Sequence, residues 1–267
     1  MQTGRMRTEL VSEPGSPDRP NEDFASVGLP ASGQGGSLVV LDGVTPPSGG
    51  TGCLHSVPWF TARLGGALTE LTVSLPDVPL AEALHRAIAR TSAAHAETCE
   101  LSHPRTPQAT VVLARWSPTV VEYLVLSDSA LLVEAPDGAV TALLDDRLAR
   151  LPRSALATDA LVDSTLRNKE GGFFTAAADP SVAARAVTGV LPRDRVRALA
   201  ALTDGATRWV EKFREGDWTD CFGLVRKEGA RALVDRVREL ERGDAGTRTF
   251  LGRGKTHDDA TVAYAEL

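Results

Sequence analysis

The chain is short of the residues that would make several chemistries easy. Of its 267 residues only three are cysteine, Cys53, Cys99 and Cys221. They are widely spaced, odd in number and form no CxxC pair, which argues against a zinc site and against a disulfide framework. The expectation is a cytosolic protein with free thiols, each cysteine acting as a small core residue. No apolar run reaches the length of a membrane span, and MQTGRMRTELVSEPGSPDRP lacks the apolar centre of a secretory signal. Excess positive charge is missing too. The formal net charge is -6, which disfavours nucleic acid as a partner. No glycine-rich phosphate loop with its lysine is present, nor a convincing cysteine or serine nucleophile motif.

What remains is a soluble globular composition of a length that suits one α/β domain. The first twenty residues are polar, with Pro14, Pro17 and Pro20 opposing helix. SLVVLD at 37–42 reads as a buried strand that delivers Asp42 to the loop GVTPPSGGTG. Helical periodicity runs over about 54–71 and 80–100. Strands follow at 109–116, 120–126, 130–134 and, after a Pro-Asp-Gly turn, 139–143. Closely spaced strands of this kind are most simply antiparallel neighbours. The stretch 145–194 is mixed, with charged helical pieces around a flexible Glu170-Gly171-Gly172. A strand at 198–203 ends at Asp204, two helices lie between about 206 and 241, and a last strand at 260–265 follows Asp258 and Asp259.

The informative pattern is recurrence. Acids stand repeatedly at strand edges, in NED (21–23), LDG (41–43), SDS (127–129), TDG (203–205) and DDAT (258–261). A carboxylate beside an apolar strand is costly to bury alone, and several that converge repel one another. A hard divalent cation relieves both problems, because magnesium and manganese favour oxygen ligands. Gly43 and Gly205, each directly after an acid, would let the backbone turn and a ligand come close. Any single Asp-Gly is ordinary turn punctuation; the ordered set is specific.

That set resembles the metal-dependent protein phosphatase family of the protein phosphatase 2C type, and in detail its stand-alone bacterial members. The matching positions are Glu22-Asp23, Asp42-Gly43, Ala109-Thr110, Ser127-Asp128-Ser129, Thr203-Asp204-Gly205 and Asp258-Asp259. The resemblance implies an α+β fold, a central antiparallel β-sandwich flanked by helices on both sides in four α-β-β-α layers. It implies one phosphatase domain over 1–267 with a variable flap at about 150–180, in which Arg167, Lys169 and the Gly171-Gly172 hinge face substrate. It implies two Mn2+ or Mg2+ ions. Asp42 would bridge them, the Gly43 carbonyl would bind one, and Asp23, Asp204 and Asp258 would complete their shells. Asp128 and Asp204 would hold a third, weaker ion found in some members. Glu22 and Asp259 would stand behind these ligands, Asp259 where the family usually has asparagine.

The implied reaction is hydrolysis of a phosphomonoester by direct attack of metal-bound hydroxide on phosphorus. The implied substrate is a serine/threonine phosphoprotein; a small phosphorylated metabolite and a non-catalytic binding module stay open as alternatives. Three departures stand out. The family's phosphate-binding arginine falls at Asp18, with Arg19 one residue on as the candidate replacement. The family's Gly-His pair after Asp-Gly is missing, which leaves His55 as the candidate to protonate the leaving oxygen. Ser127 replaces a glycine. His257, beside Asp258, is expected at the edge of the site. Trp59, Trp116, Trp209 and Trp218 are read as packing.

Overall fold

The computed structural model describes residues 6–46, 50–250 and 255–267; the loop reading of residues 47–49 falls outside them. Two five-stranded antiparallel sheets stack face to face. One has the order β1 (Thr8–Glu13), β10 (Ala260–Glu266), β9 (Ala198–Leu202), β6 (Ala130–Glu134), β7 (Val140–Leu144). The other has β2 (Phe24–Gly28), β3 (Gly36–Leu41), β4 (Val111–Trp116), β5 (Val120–Leu126), β8 (Val187–Pro192). Helices α1 (Val57–Ser74) and α2 (Leu80–Ala93) cover the second sheet, and α4 (Asp204–Glu211), α5 (Trp218–Glu228) and α6 (Ala230–Asp244) cover the first. A short α3 (Asp159–Thr165) lies in the flap segment. The four α-β-β-α layers follow from the residues. Inner strands such as GSLVVL and VVLARW are buried along their whole length, as strands covered on both faces must be.

Three apolar clusters fill the gaps between layers. Phe60, Leu64, Leu68, Leu84 and Ile88 pack on Val39, Leu41 and Leu113. Leu38, Val40, Val112 and Leu131 meet Leu199 and Ala263 between the sheets. Phe222, Val225, Leu233 and Val237 pack on Leu202, Val262 and Tyr264. Helix starts carry local signals. The Ser56 hydroxyl accepts from the Trp59 N–H with Pro58 in the first turn, and Asp217 and Asp220 form a capping box on α5.

Several expectations need correction. β1, β2 and β8 lie where no strand was expected. TELVSE alternates in burial and pairs with β10 from Thr8↔Ala265 to Glu13↔Ala260, so its partner rather than its own weak apolarity makes it a strand. The region 206–241 holds three helices rather than two, because Gly229 at φ 95° breaks α5 from α6. Cys53 and Cys99 are joined in a disulfide, against the expectation of free thiols; Cys221 alone of the three is free. The antiparallel α1–α2 pair explains the bond, since Cys53 just precedes α1 and Cys99 follows α2. That proximity is tertiary and leaves no mark in cysteine spacing. Among the described residues no helix is long and apolar enough to cross a membrane.

Candidate metal centre

Register places the acids. Phe24 pairs with Leu41, Val111 with Leu126, and Leu202 with both Ala130 and Val262. The start of β2, the end of β3, the β5–β6 turn, the end of β9 and the start of β10 therefore meet at one end of the sandwich. Asp23, Asp42, Asp128, Asp204 and Asp258 are the residues at those five ends. Asp42, Gly43, Asp128, Asp204 and Asp258 line one cavity of about 320 Å3.

Each acid is held by its neighbours. The Asp42 N–H donates to Thr110 Oγ1 (3.3 Å), its carbonyl accepts from the Thr110 N–H (2.9 Å), and its Oδ2 accepts from the Asp204 N–H (3.4 Å). Gly43 has no room for a side chain: a Cβ there would lie 2.5 Å from the Glu22 carbonyl and from Val57 Cγ1. Asp23 Oδ2 accepts from Thr203 Oγ1 (3.0 Å) and Thr261 Oγ1 (2.6 Å), while its Oδ1 is buried and unpartnered. Ser127 has φ 71°, the left-handed backbone that favours glycine. Its N–H donates to Asp145 Oδ2 (2.8 Å), a bond that glycine would also make, and its hydroxyl donates to Asp128 Oδ1 (3.2 Å), which offsets part of the backbone cost.

The remaining acids differ. Asp259 accepts from the Gly15 N–H and the Glu22 N–H, both at 2.7 Å, and so ties the N-terminal loop to the site. Glu22 accepts from the Thr45 hydroxyl. Asp258 is shared between two cations: Arg208 reaches Oδ2 at 2.9 Å and Lys255 reaches Oδ1 at 2.8 Å. Arg208 is anchored in turn by buried Glu241 (2.6 Å), which also receives Arg238 (2.8 Å) and His257 (2.7 Å). Sequence reasoning missed Lys255, Arg208 and Thr45. None carries a periodic or motif signal, and only the fold brings them to the acids.

The electrostatics record a concentration of negative charge. Burial, then the charges of Asp204, Asp23, Asp128 and Asp258, pushes the Asp42 carboxyl well above its usual range. Burial raises Asp23 to about 8, with the charge of Asp259 adding to it. Burial and the charges of Asp128 and Asp258 raise Asp204 to about 7. Burial also raises Asp128 and Glu22. An unpartnered buried oxygen on Asp23, and carboxyls whose charge is disfavoured first by burial and then by one another, fit a divalent cation with an all-oxygen donor set. Asp23, Asp42, Asp128 and Asp204 have that character. Asp258 fits less simply, because both its oxygens are engaged.

His55 stacks on Trp59 with ring centroids 3.9 Å apart, and its Nε2 is 3.3 Å from Thr98 Oγ1. It packs beside the Cys53–Cys99 bond and is not part of the acid-lined cavity. Arg19 is exposed and lines a neighbouring pocket of about 380 Å3 with Glu22, Thr45, Lys255 and His257. Arg167 lines the acid cavity from the flap, together with Leu156, Asp159, Val162 and Phe173. Lys169 and the Gly171-Gly172 pair do not line it. Cys221 is buried in the core, and burial pushes its thiol up to about 12, so it is no nucleophile.

A four-layered sandwich with carboxylates gathered from five strand ends over one polar cavity defines a cation-dependent hydrolase site. A profile of the family Protein phosphatase 2C matches residues 16–239, and the chain belongs to that family of metal-dependent phosphatases. Solved structures with the same fold include the serine/threonine phosphatase Stp1 from Staphylococcus aureus, 13% identical, with 98% of this chain and 95% of that one covered and a TM-score of 0.62. The Mycobacterium tuberculosis serine/threonine phosphatase PstP/Ppp is 17% identical, with 98% of each chain covered and a TM-score of 0.61. The catalytic domain of PstP in complex with two manganese ions is also 17% identical, covering 98% and 97%, at a TM-score of 0.59. No curated protein matches the sequence significantly.

Proposed function

We propose that the protein is a serine/threonine phosphoprotein phosphatase that uses two Mn2+ or Mg2+ ions and hydrolyses the phosphomonoester without a covalent enzyme intermediate. The observation that carries this reading is the convergence of Asp42, Asp128 and Asp204 on one cavity, with Asp23 at the neighbouring start of β2 and its Oδ1 buried and unpartnered. Bound divalent ions would supply Lewis acidity, shielding the phosphate charge and making water acidic enough to react near neutral pH. Asp42, placed centrally and pinned by Thr110 and Asp204, would be the principal ligand, with the Gly43 carbonyl, Asp23 and Asp204 beside it. Asp259 holds Glu22 and the 15–22 loop in place, and Arg208 positions Asp258. The free thiol lies in the core, which supports hydrolysis by water rather than by a cysteine. One domain with residues 150–180 as a substrate-facing flap completes the proposal. A cytosolic location loses the support that free thiols gave it, because Cys53 and Cys99 are paired.

The test is turnover of p-nitrophenyl phosphate and of phosphoserine and phosphothreonine peptides, with Mn2+, with Mg2+ and with a chelator. Metal-dependent hydrolysis of the peptides that Asp42→Asn and Asp204→Asn reduce by about a hundredfold or more is the expected result. Hydrolysis confined to small phosphorylated metabolites would replace the protein substrate. A folded, metal-loaded protein that cleaves no phosphoester would overturn the enzyme reading.

A further inference from the structure

A phosphomonoester at neutral pH carries close to two negative charges, and the cavity that would receive it is lined mainly by acids. Its basic lining groups among the described residues are Arg167 and Lys255. Arg167 enters from the flap, where its Nε faces Asp163 Oδ1 at 3.4 Å and its guanidinium lies 5.1 Å from the centre of the Phe173 ring, and its charge bears on Asp128 rather than on the wall formed by Thr45 and Asp258. Arg208 is buried and bonded to Glu241 and Asp258. Arg19 lines only the outer pocket, away from Asp42.

Lys255 differs from all three. It lines both the acid cavity and the outer pocket, so its side chain stands on the wall they share. Its Nζ donates to Thr45 Oγ1 and to Asp258 Oδ1, each at 2.8 Å. An ammonium has three N–H donors, so one donor remains for a ligand. Two fixed partners also hold the long side chain in one place, which lowers the entropy that a phosphate contact would otherwise lose.

We propose that Lys255 is the substrate-phosphate anchor of this protein: held at the cavity mouth by Thr45 and Asp258, its ammonium donates to a non-bridging oxygen of the bound phosphomonoester, a task that Arg19 does not perform. The proposal rests on the phosphatase reading of the same cavity.

The test compares Lys255→Ala, Lys255→Arg and Arg19→Ala with the wild type. Three quantities are read: KM and kcat for p-nitrophenyl phosphate, competitive inhibition by inorganic phosphate, and Mn2+ affinity by calorimetry. Loss of a charged hydrogen bond predicts that Lys255→Ala raises both KM and the phosphate inhibition constant by about ten- to a hundredfold. Mn2+ affinity is expected to hold or tighten, since Asp258 loses a competing cation. Lys255→Arg should recover most of the loss, and Arg19→Ala should shift KM by less than about threefold, as a rim contact would. Overturning results are a KM and inhibition constant in Lys255→Ala within about threefold of wild type, or a larger effect from Arg19→Ala. If the wild type proves inactive, the phosphatase reading fails by itself, and calorimetric binding of inorganic phosphate to the Mn2+-loaded protein decides the anchor. Binding that Lys255→Ala weakens supports it; binding that is absent, or indifferent to the substitution, overturns it.

Discussion

Metal-free protein should lose stability as pH rises through the neutral range, and the size of that loss follows from the protons its acids retain. The folded Asp23 and Asp204 carboxyls titrate near 8 and 7, because burial and neighbouring carboxylates disfavour their charge. In the unfolded chain each titrates near 4. Between those values the folded state holds protons that the unfolded state has released, so stability falls with rising pH. The fall begins above about pH 4 and levels off above about pH 8. Each retained proton is worth about 1.4 kcal/mol per pH unit. Asp23 and Asp204 belong to one group of mutually repelling acids, so they do not each retain a full proton across this range, and the pair counts as about one. For a chain of this length 1 kcal/mol moves Tm by about 2–4 °C. Metal-free protein should therefore melt roughly 5–10 °C lower at pH 7 than at pH 5. Manganese competes with those protons, so it should raise Tm little at pH 5 and most at pH 8. Glu9 is shifted the other way: burial opposes it, yet the Ala230 N–H and Arg7 hold its carboxyl below the usual range. Its contribution is lost only on acidification below that window. Thermal melts with chelator and with Mn2+ across pH 5–8 measure the effect. A chelated Tm that is flat or rising from pH 5 to 7, or an equal Mn2+ increment at pH 5 and pH 8, would refute the reasoning.

Two further substitutions probe the supports of the site. Ser127→Gly removes a side chain from a backbone at φ 71° but adds unfolded-state freedom and deletes the hydroxyl contact to Asp128, so a net gain of roughly 0.5 kcal/mol is expected by denaturant melts; a loss above about 1 kcal/mol would mean that the Asp128 contact outweighs the strain. Arg208→Met leaves buried Glu241 and Asp258 without their shared cation and should cost about 3–5 kcal/mol while slackening the loop that carries Lys255. A cost below about 1 kcal/mol in urea unfolding would show that Arg238 and His257 already satisfy Glu241.

The acids were legible because each is bound to a regular element. Asp42 ends a run of six apolar or small residues, Asp204 ends another, and Asp258-Asp259 opens a third. Strand period and turn chemistry are local, so such positions survive translation from sequence to space. His55 shows where this fails. Its distance along the chain from Asp42 allowed a return to the site, but the α1 start that follows it fixes its ring against Trp59 instead. β1 was invisible for a related reason: its pairing with β10 spans almost the whole chain, and weak alternation in TELVSE does not announce a partner so distant. The Cys53–Cys99 bond and the Arg208–Asp258 contact are of the same non-local kind.

The strand-end aspartates supply negative charge by a plan that the backbone enforces, whereas among the described residues the positive groups that answer it come from a helix face or a loop: Arg208 from α4, Arg167 from the flap, Lys255 from the approach to β10. Charges on strand ends cannot move far without breaking ladder hydrogen bonds, but charges on loops can be exchanged at little cost to the fold. A cavity built in this way keeps its demand for cations constant while the residues that receive the phosphate are free to change position. Arg19 at the rim and Lys255 at the shared wall are what that freedom produces here: the phosphate partner enters from the C-terminal loop, beside the acid it also restrains.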